Sequence, residues 1–234
     1  MKETRTPRLV ALVLLAITRA IPLDAQDQSV NPGINKTYEN PKIDESIHRF
    51  EREGRDIYDL RDRVIDACDL KPGMAVADVG AGTGLFTRLF AARVAPGGLV
   101  HALDISDEFV AHITNTCAAA GITNVIAYVC PPDDIGLPPD SADLAFVCDT
   151  YHHFEFPLKT LASIHRALRP HGRLVVIDFE RIPGKSRQWI LDHVRAGKET
   201  FRQEIESEGF EFVQEHNFLR ENYLLVFRKS ARKG

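Results

Sequence analysis

Cysteine is scarce and unpaired in this chain. Of 234 residues four are cysteine, Cys68, Cys117, Cys130 and Cys148, and none stands in a C-x-x-C pair. That removes the common zinc and redox motifs, and a domain of this length does not need a disulfide framework. Long apolar runs are lacking too. The stretch at residues 9–17, L-V-A-L-V-L-L-A-I, is too short to span a bilayer, so no stable membrane span is expected. Basic charge is not in excess. With 29 Lys and Arg against 33 Asp and Glu the formal net charge is −4, and no basic field points to nucleic acid. Internal repeats and low-complexity segments are absent.

What remains is an ordinary globular composition, 44% hydrophobic and 26% charged, enough for a substantial core. The length fits one α/β domain with an N-terminal extension. Lys2, Arg5 and Arg8 lie in front of the apolar run, so residues 1–25 read as a secretory signal peptide or another N-terminal targeting segment. Cleavage would fall after Ala20 or Ala25. Such a protein is exported or periplasmic if the segment acts as a signal, and cytoplasmic otherwise. Residues 26–46 are polar, with N-P-G and N-P turns, and read as a linker or ordered arm. Residues 47–229 form the folded domain, and 230–234 a solvated basic tail.

The most informative stretch is 76–87, V-A-D-V-G-A-G-T-G-L-F-T. A β-branched run ends in Asp78, a glycine turn follows at Gly80, Gly82 and Gly84, and a helical pattern begins at Leu85. The spacing is G-x-G-x-G rather than the dinucleotide G-x-G-x-x-G. An acid precedes the first glycine, where it would repel a pyrophosphate and suit a cationic group. This disfavours a nicotinamide cofactor. About 20 residues on, a second apolar strand ends in Asp104, suited to accept hydrogen bonds from ribose hydroxyls. Ser106 or Asp107 caps the next helix, and Gly121 ends it.

At the motif Asp78, Gly80, Gly82 and Gly84 the chain resembles the class I S-adenosylmethionine-dependent methyltransferases, in particular the small-molecule type to which quinone C-methyltransferases belong. The resemblance spans roughly residues 47–229. It implies an α/β, Rossmann-like sheet of seven strands, order 3-2-1-4-5-7-6, with the last strand antiparallel and helices on both faces. The terminal strand pair, 211–217 and 223–228, fits that reversed edge. Cys130 and Cys148 then end strands with two others between them, roughly 14 Å apart at about 4.8 Å per strand, beyond disulfide reach.

The resemblance also implies a cofactor, S-adenosyl-L-methionine, and a set of residues to hold it. Asp78 would take the methionine ammonium. Gly80, Ala81, Gly82, Thr83 and Gly84 would offer backbone to the methionine and ribose, and Asp104 with Ile105 would hold the ribose. Asp133 or Asp134 would accept from the adenine amino group, with Ile135 packed on the ring. Asp149 is a further cofactor-side acid. An N-terminal helical region broken at Gly54 would cover the pocket, with Arg55 and Tyr58 as candidates to face it. A helix over 185–200 carries Trp189 on its apolar side, and a separate one follows at 201–209.

Beyond the fourth strand comes D-T-Y-H-H-F-E-F-P, residues 149–157. In doubly wound folds ligands bind at the carboxyl ends of the strands where the order reverses, so this loop should face the reacting methyl group. His152 or His153 is the candidate base, with Tyr151 and Glu155 in reserve. The His pair has no H-x-x-x-H spacing and no evident third ligand, so no metal is expected. The N-P-P-Y motif of amino-methylating DNA enzymes is absent. These features point to transfer of a methyl group to a small-molecule acceptor. The alternative is a non-catalytic protein that binds S-adenosylmethionine as sensor or scaffold. The oligomeric state does not follow from the sequence.

Overall fold

A computed structural model describes residues 26–230. The expected targeting segment, 1–25, and most of the basic tail lie outside the described residues. No helix among the described residues is long and apolar enough to cross a membrane.

Strands alternate with helices along the chain, which is the pattern of a parallel sheet covered on both faces. Three short helices open the domain, α1 (Ile43–Phe50), α2 (Asp56–Asp59) and α3 (Arg61–Ala67). They replace the single helical region read from the sequence, and α1 begins before residue 47. The break falls at Gly54, in the left-handed region with φ +84°. Then come β1 (Ala75–Val79), α4 (Leu85–Val94), β2 (Leu99–Asp104), α5 (Asp107–Ala119), β3 (Val125–Val129) and β4 (Ala142–Cys148). The second half holds α6 (Pro157–Ala167), β5 (Leu168–Phe179), α7 (Gln188–His193), α8 (Lys198–Ser207), β6 (Phe210–His216) and β7 (Asn222–Lys229).

The sheet order is β3-β2-β1-β4-β5-β7-β6, as expected. β1 pairs in parallel with β2 and β4, and β7 runs antiparallel to β5 and β6. Side chains alternate between two apolar layers, as the two-residue strand period requires. Val76, Leu144, Phe146, Val175 and Ile177 pack under α3 and α4. Ala77, Val79, Ala145, Val147, Leu174 and Val176 pack under α6 and α8. Ser106 caps α5 by accepting from Phe109 N at 3.4 Å. All four cysteines are free.

Two expectations shift. The helix read over 185–200 ends at His193, because Val194 turns to extended backbone and Gly197 starts α8. Trp189 is not a core residue. It is half exposed and lies flat against His193, ring centroids 4.9 Å apart.

An aromatic cluster in the core joins Phe146 of β4 to Phe86 and Phe90 of α4, with centroids 4.8 and 4.9 Å away. Phe146 and Phe90 are fully buried. Phe146→Ala should cost about 3–5 kcal/mol, the usual range for an emptied aromatic core position. Urea denaturation checks this, and the midpoint should fall while the slope is unchanged.

Candidate active site

The carboxyl ends of β1, β2, β4 and β5 surround one cavity of about 810 Å³, within the range of small-molecule sites. Each of these ends carries an aspartate, and each meets a different partner. Asp78 is 3% exposed and accepts a hydrogen bond from Thr87 Oγ1 at 2.6 Å. Burial pushes its pKa up to about 7, and no cation is among the groups acting on it. Asp104 accepts from Gly82 N at 2.9 Å and Ser106 N at 3.0 Å. Burial raises its pKa, and these backbone donors with that of Ile105 oppose the rise. Asp149 pairs with Arg55 Nη2 at 2.7 Å and accepts from Asn222 Nδ2 at 2.6 Å. Burial raises its pKa as well, against the pull of Arg55. Asp178 accepts from the His152 ring, Nδ1 to Oδ1 2.8 Å, and from the backbone N–H of His152 at 3.0 Å.

The glycine turn forms the wall between β1 and β4. Gly80 has φ +73°, and a Cβ there would lie 2.3 Å from Thr150 Cγ2. No side chain fits where this turn crosses the loop after β4. Gly80, Ala81, Gly82, Thr83, Asp104 and Ile105 all line the cavity. Gly84 does not. It packs against Ile113, whose Cγ1 would sit 2.8 Å from an added Cβ.

The adenine-side candidates separate. Ile135 lines the cavity with Cys130, Pro131 and Pro132, but Asp133 and Asp134 are not among its walls. Asp134 turns outward to pair with Arg166 at 2.8 Å and to accept from Gly136 N at 2.7 Å. Asp133 points toward Lys159, 4.0 Å away. The Cys thiols on this side are inert, since burial pushes Cys130 up to about 12 and Cys148 well above its ordinary value.

A cover closes the opposite side. Arg55 also donates to Phe50 O at 2.6 Å, and Arg88 clamps Glu51 of the cover at 2.8 and 3.0 Å. Arg55 lines the cavity, whereas Tyr58 lies outside it with Arg61 over its ring. The arm is ordered. Gln26 Oε1 accepts from Leu158 N at 2.8 Å, and Asn35 Nδ2 donates to His153 O at 3.1 Å and to Glu155 Oε1 at 3.3 Å.

The loop after β4 separates the three candidates for catalysis. Tyr151 is fully buried and is no wall of the cavity. It is packed on Phe154 and Phe201, and its hydroxyl donates to Glu204 at 2.9 Å. Burial, then the Glu204 charge, hold its pKa well above the phenol range. Tyr151 is therefore a core residue rather than a catalytic one. His152 and His153 both line the cavity. Burial opposes charge on His152, but Asp178 outweighs it and the pKa rises. Burial and the neighbouring imidazoles push His153 down to about 2, so it stays neutral and accepts no proton near neutral pH.

Sequence reasoning missed His193. It sits 40 positions from His153, and its Nε2 lies 3.4 Å from His153 Nε2. The expectation that the His pair has no third partner is corrected by this ring. The signal was faint, a lone His at the end of a short helix, and only the fold of α7 over the cavity brings it in. Trp189 and Phe179 were likewise not assigned to the site, whereas Asp178 is expected there as a residue at the active-site end of the fifth strand.

With this geometry in view, the likeness to known proteins is specific in its extent. Residues 77–176 match the model of a methyltransferase domain family. The ubiquinone/menaquinone biosynthesis C-methyltransferase of Bordetella avium is 30% identical over 118 residues, covering 50% of this chain and 46% of that protein. Nocamycin O-methyltransferase of Saccharothrix syringae is 31% identical over 135 residues, 58% of this chain and 48% of that one. The chain thus spans about half the length of the curated relatives it matches. Among solved structures, a SAM-dependent methyltransferase from Aquifex aeolicus aligns with TM-score 0.66 at 23% identity, over 85% of this chain and 98% of that one. The [4+2]-cyclase SpnF aligns with TM-score 0.65 at 16% identity, over 74% of this chain and 80% of that one. Sequence match and sheet order agree: residues 77–176 are similar to a methyltransferase domain family, and the seven-stranded sheet has the fold of the solved methyltransferases it aligns with.

Proposed function

We propose that the protein is an S-adenosylmethionine-dependent methyltransferase acting on a small molecule. The observation that carries this reading is one cavity lined by two unlike sets of residues. One set is Asp78, the glycine turn and Asp104. The other is imidazoles, one of them backed by a carboxylate. The two similar curated proteins are named for methylation at carbon and at oxygen, so the acceptor atom is not carried over from them.

The residues fit the cofactor. Asp78 is a buried acid without a cation, so a ligand ammonium would supply the missing charge. The turn at Gly82 is open on the cavity side, where an added Cβ would meet only Phe50 at 3.7 Å. Asp104 keeps lone pairs for ribose hydroxyls while backbone donors fix its orientation. When bound, S-adenosylmethionine supplies an electrophilic methyl on a sulfonium. The protein's part is then alignment and removal of water, with a proton acceptor where the substrate needs one. His152 is the side chain oriented for that task, because Asp178 fixes its ring from behind. Asp149 is already neutralised by Arg55, and we assign it to holding the cover rather than the cofactor.

Three outcomes check this. Asp104→Ala should weaken S-adenosylmethionine binding roughly 10- to 100-fold in calorimetry, as expected for losing a charge-assisted hydrogen bond. The same titration across pH tests Asp78. Its carboxyl is half protonated near pH 7 in the free protein and must be ionised to hold an ammonium. Affinity should therefore fall below pH 7, approaching tenfold per unit, and Asp78→Asn should flatten the dependence at a lower affinity. A screen of quinols, phenols, thiols and carboxylates with methyl-labelled cofactor should give labelled product. His152→Ala should lower that turnover about 10²–10⁴-fold while leaving cofactor affinity intact. Tight cofactor binding with no turnover on any acceptor class would mark a binding protein instead.

A further inference from the structure

Three imidazoles converge at the acceptor end of the cavity. His152 and His153 come from the short turn after β4, and His193 from the end of α7. Their ring nitrogens, one from each residue, all lie within 4.8 Å of one another. The His153 and His193 Nε2 atoms, 3.4 Å apart, face each other at a distance long for a hydrogen bond. That distance is the edge of a tetrahedron whose centre lies about 2.0–2.1 Å from each nitrogen, the usual zinc–imidazole bond length.

We infer that His152, His153 and His193 form a binding site for a late first-row divalent cation, zinc above all, with its fourth position open to the cavity. Each ring is held in place from behind. Asp178 takes the Nδ1 side of His152 at 2.8 Å, leaving Nε2 as the lone-pair nitrogen, the carboxylate–histidine arrangement that metal sites use to fix a ligand. Trp189 stacks on His193 with ring planes 20° apart. Tyr38 meets His153 edge-on at 5.0 Å, and Asn35 ties its carbonyl. Three nitrogen donors suit zinc, cobalt, nickel or copper and not magnesium or calcium, which require oxygen. Three protein ligands leave a position free, as in catalytic rather than structural zinc sites. All three histidines line the cavity, so that position faces the acceptor.

The site's role, unlike its existence, rests on the methyl-transfer reading. An acceptor oxygen or sulfur in the fourth position would lose its proton to solvent and remain as the anion beside the cation. His152 would then serve as a ligand at the atom where it would otherwise take the proton.

The test uses the full-length chain without a histidine tag, stripped with a chelator and titrated with Co²⁺. One equivalent should bind and give the intense visible bands of a four-coordinate ion, and one equivalent of Zn²⁺ should abolish them. The chain has a single tryptophan, Trp189, so Co²⁺ should quench its fluorescence with the same stoichiometry. His193→Ala and His193→Gln should each weaken binding by more than the roughly 10- to 100-fold seen when a ligand's hydrogen-bond partner is lost. His171→Ala, at an exposed position, should change nothing. No stoichiometric binding, or equal binding by wild type and both His193 variants, overturns the proposal. Circular dichroism and an S-adenosylmethionine titration on the same samples separate the two readings. Cofactor binding without cation binding sinks the cation site alone, and the reverse sinks the methyl-donor reading alone. Treatment with EDTA that leaves turnover intact would remove the cation from catalysis.

Discussion

The site depends on a close approach that leaves no room for a side chain. The turn after β1 crosses the start of the loop after β4 at Gly80 and Thr150, and Thr150 is anchored in turn to Cys148 O at 2.9 Å. β1 and β4 are neighbours in the sheet but come from opposite halves of the chain order. Their helices leave on different sides, so a crevice opens between them. The Gly80–Thr150 contact sets how near the glycine turn comes to the imidazole turn, which starts at the next residue. A larger residue at Gly80 would push apart the two halves of the cavity.

Around that contact the fold concentrates negative charge. Asp78, Asp104, Asp149 and Asp178 end or follow four adjacent parallel strands, and each is stabilised by a different partner: a threonine hydroxyl, backbone amides, an arginine with an asparagine, and a histidine. Only Asp149 has a cation of the protein beside it as a salt bridge of two fixed charges. The others are held at the cost of raised pKa or by a titratable ring. A set of buried acids left short of positive charge is matched to a ligand that brings its own.

Much of this was legible in the sequence, and the reason is local. Asp78 and the three glycines lie within seven residues, and a strand, a tight turn and a helix start impose residue types at fixed offsets. The alternating pattern of the paired terminal strands pointed to the reversed edge. What did not follow from the sequence depends on long-range placement. Tyr151 sits beside His152 in sequence, yet the turn sends one ring into the core against Phe201 and the other to the cavity. Asp133 had the position expected of an adenine partner, with Asp134 as its alternative, but Asp133 points toward Lys159 and Arg166 in α6 turns Asp134 outward. His193 and Trp189 are brought in by α7, whose apolar side is too short to show whether it faces core or cavity.

The arm at residues 26–38 bears on how the molecule is made. Its seat is the 153–158 segment, more than 100 positions later in the chain. During synthesis the arm emerges before its seat, and its docking surface is completed only after four strands of the sheet exist. Domains acquire structure in the order their partners become available, so the wall that Tyr38 and Asn35 build beside His153 is among the last parts to close.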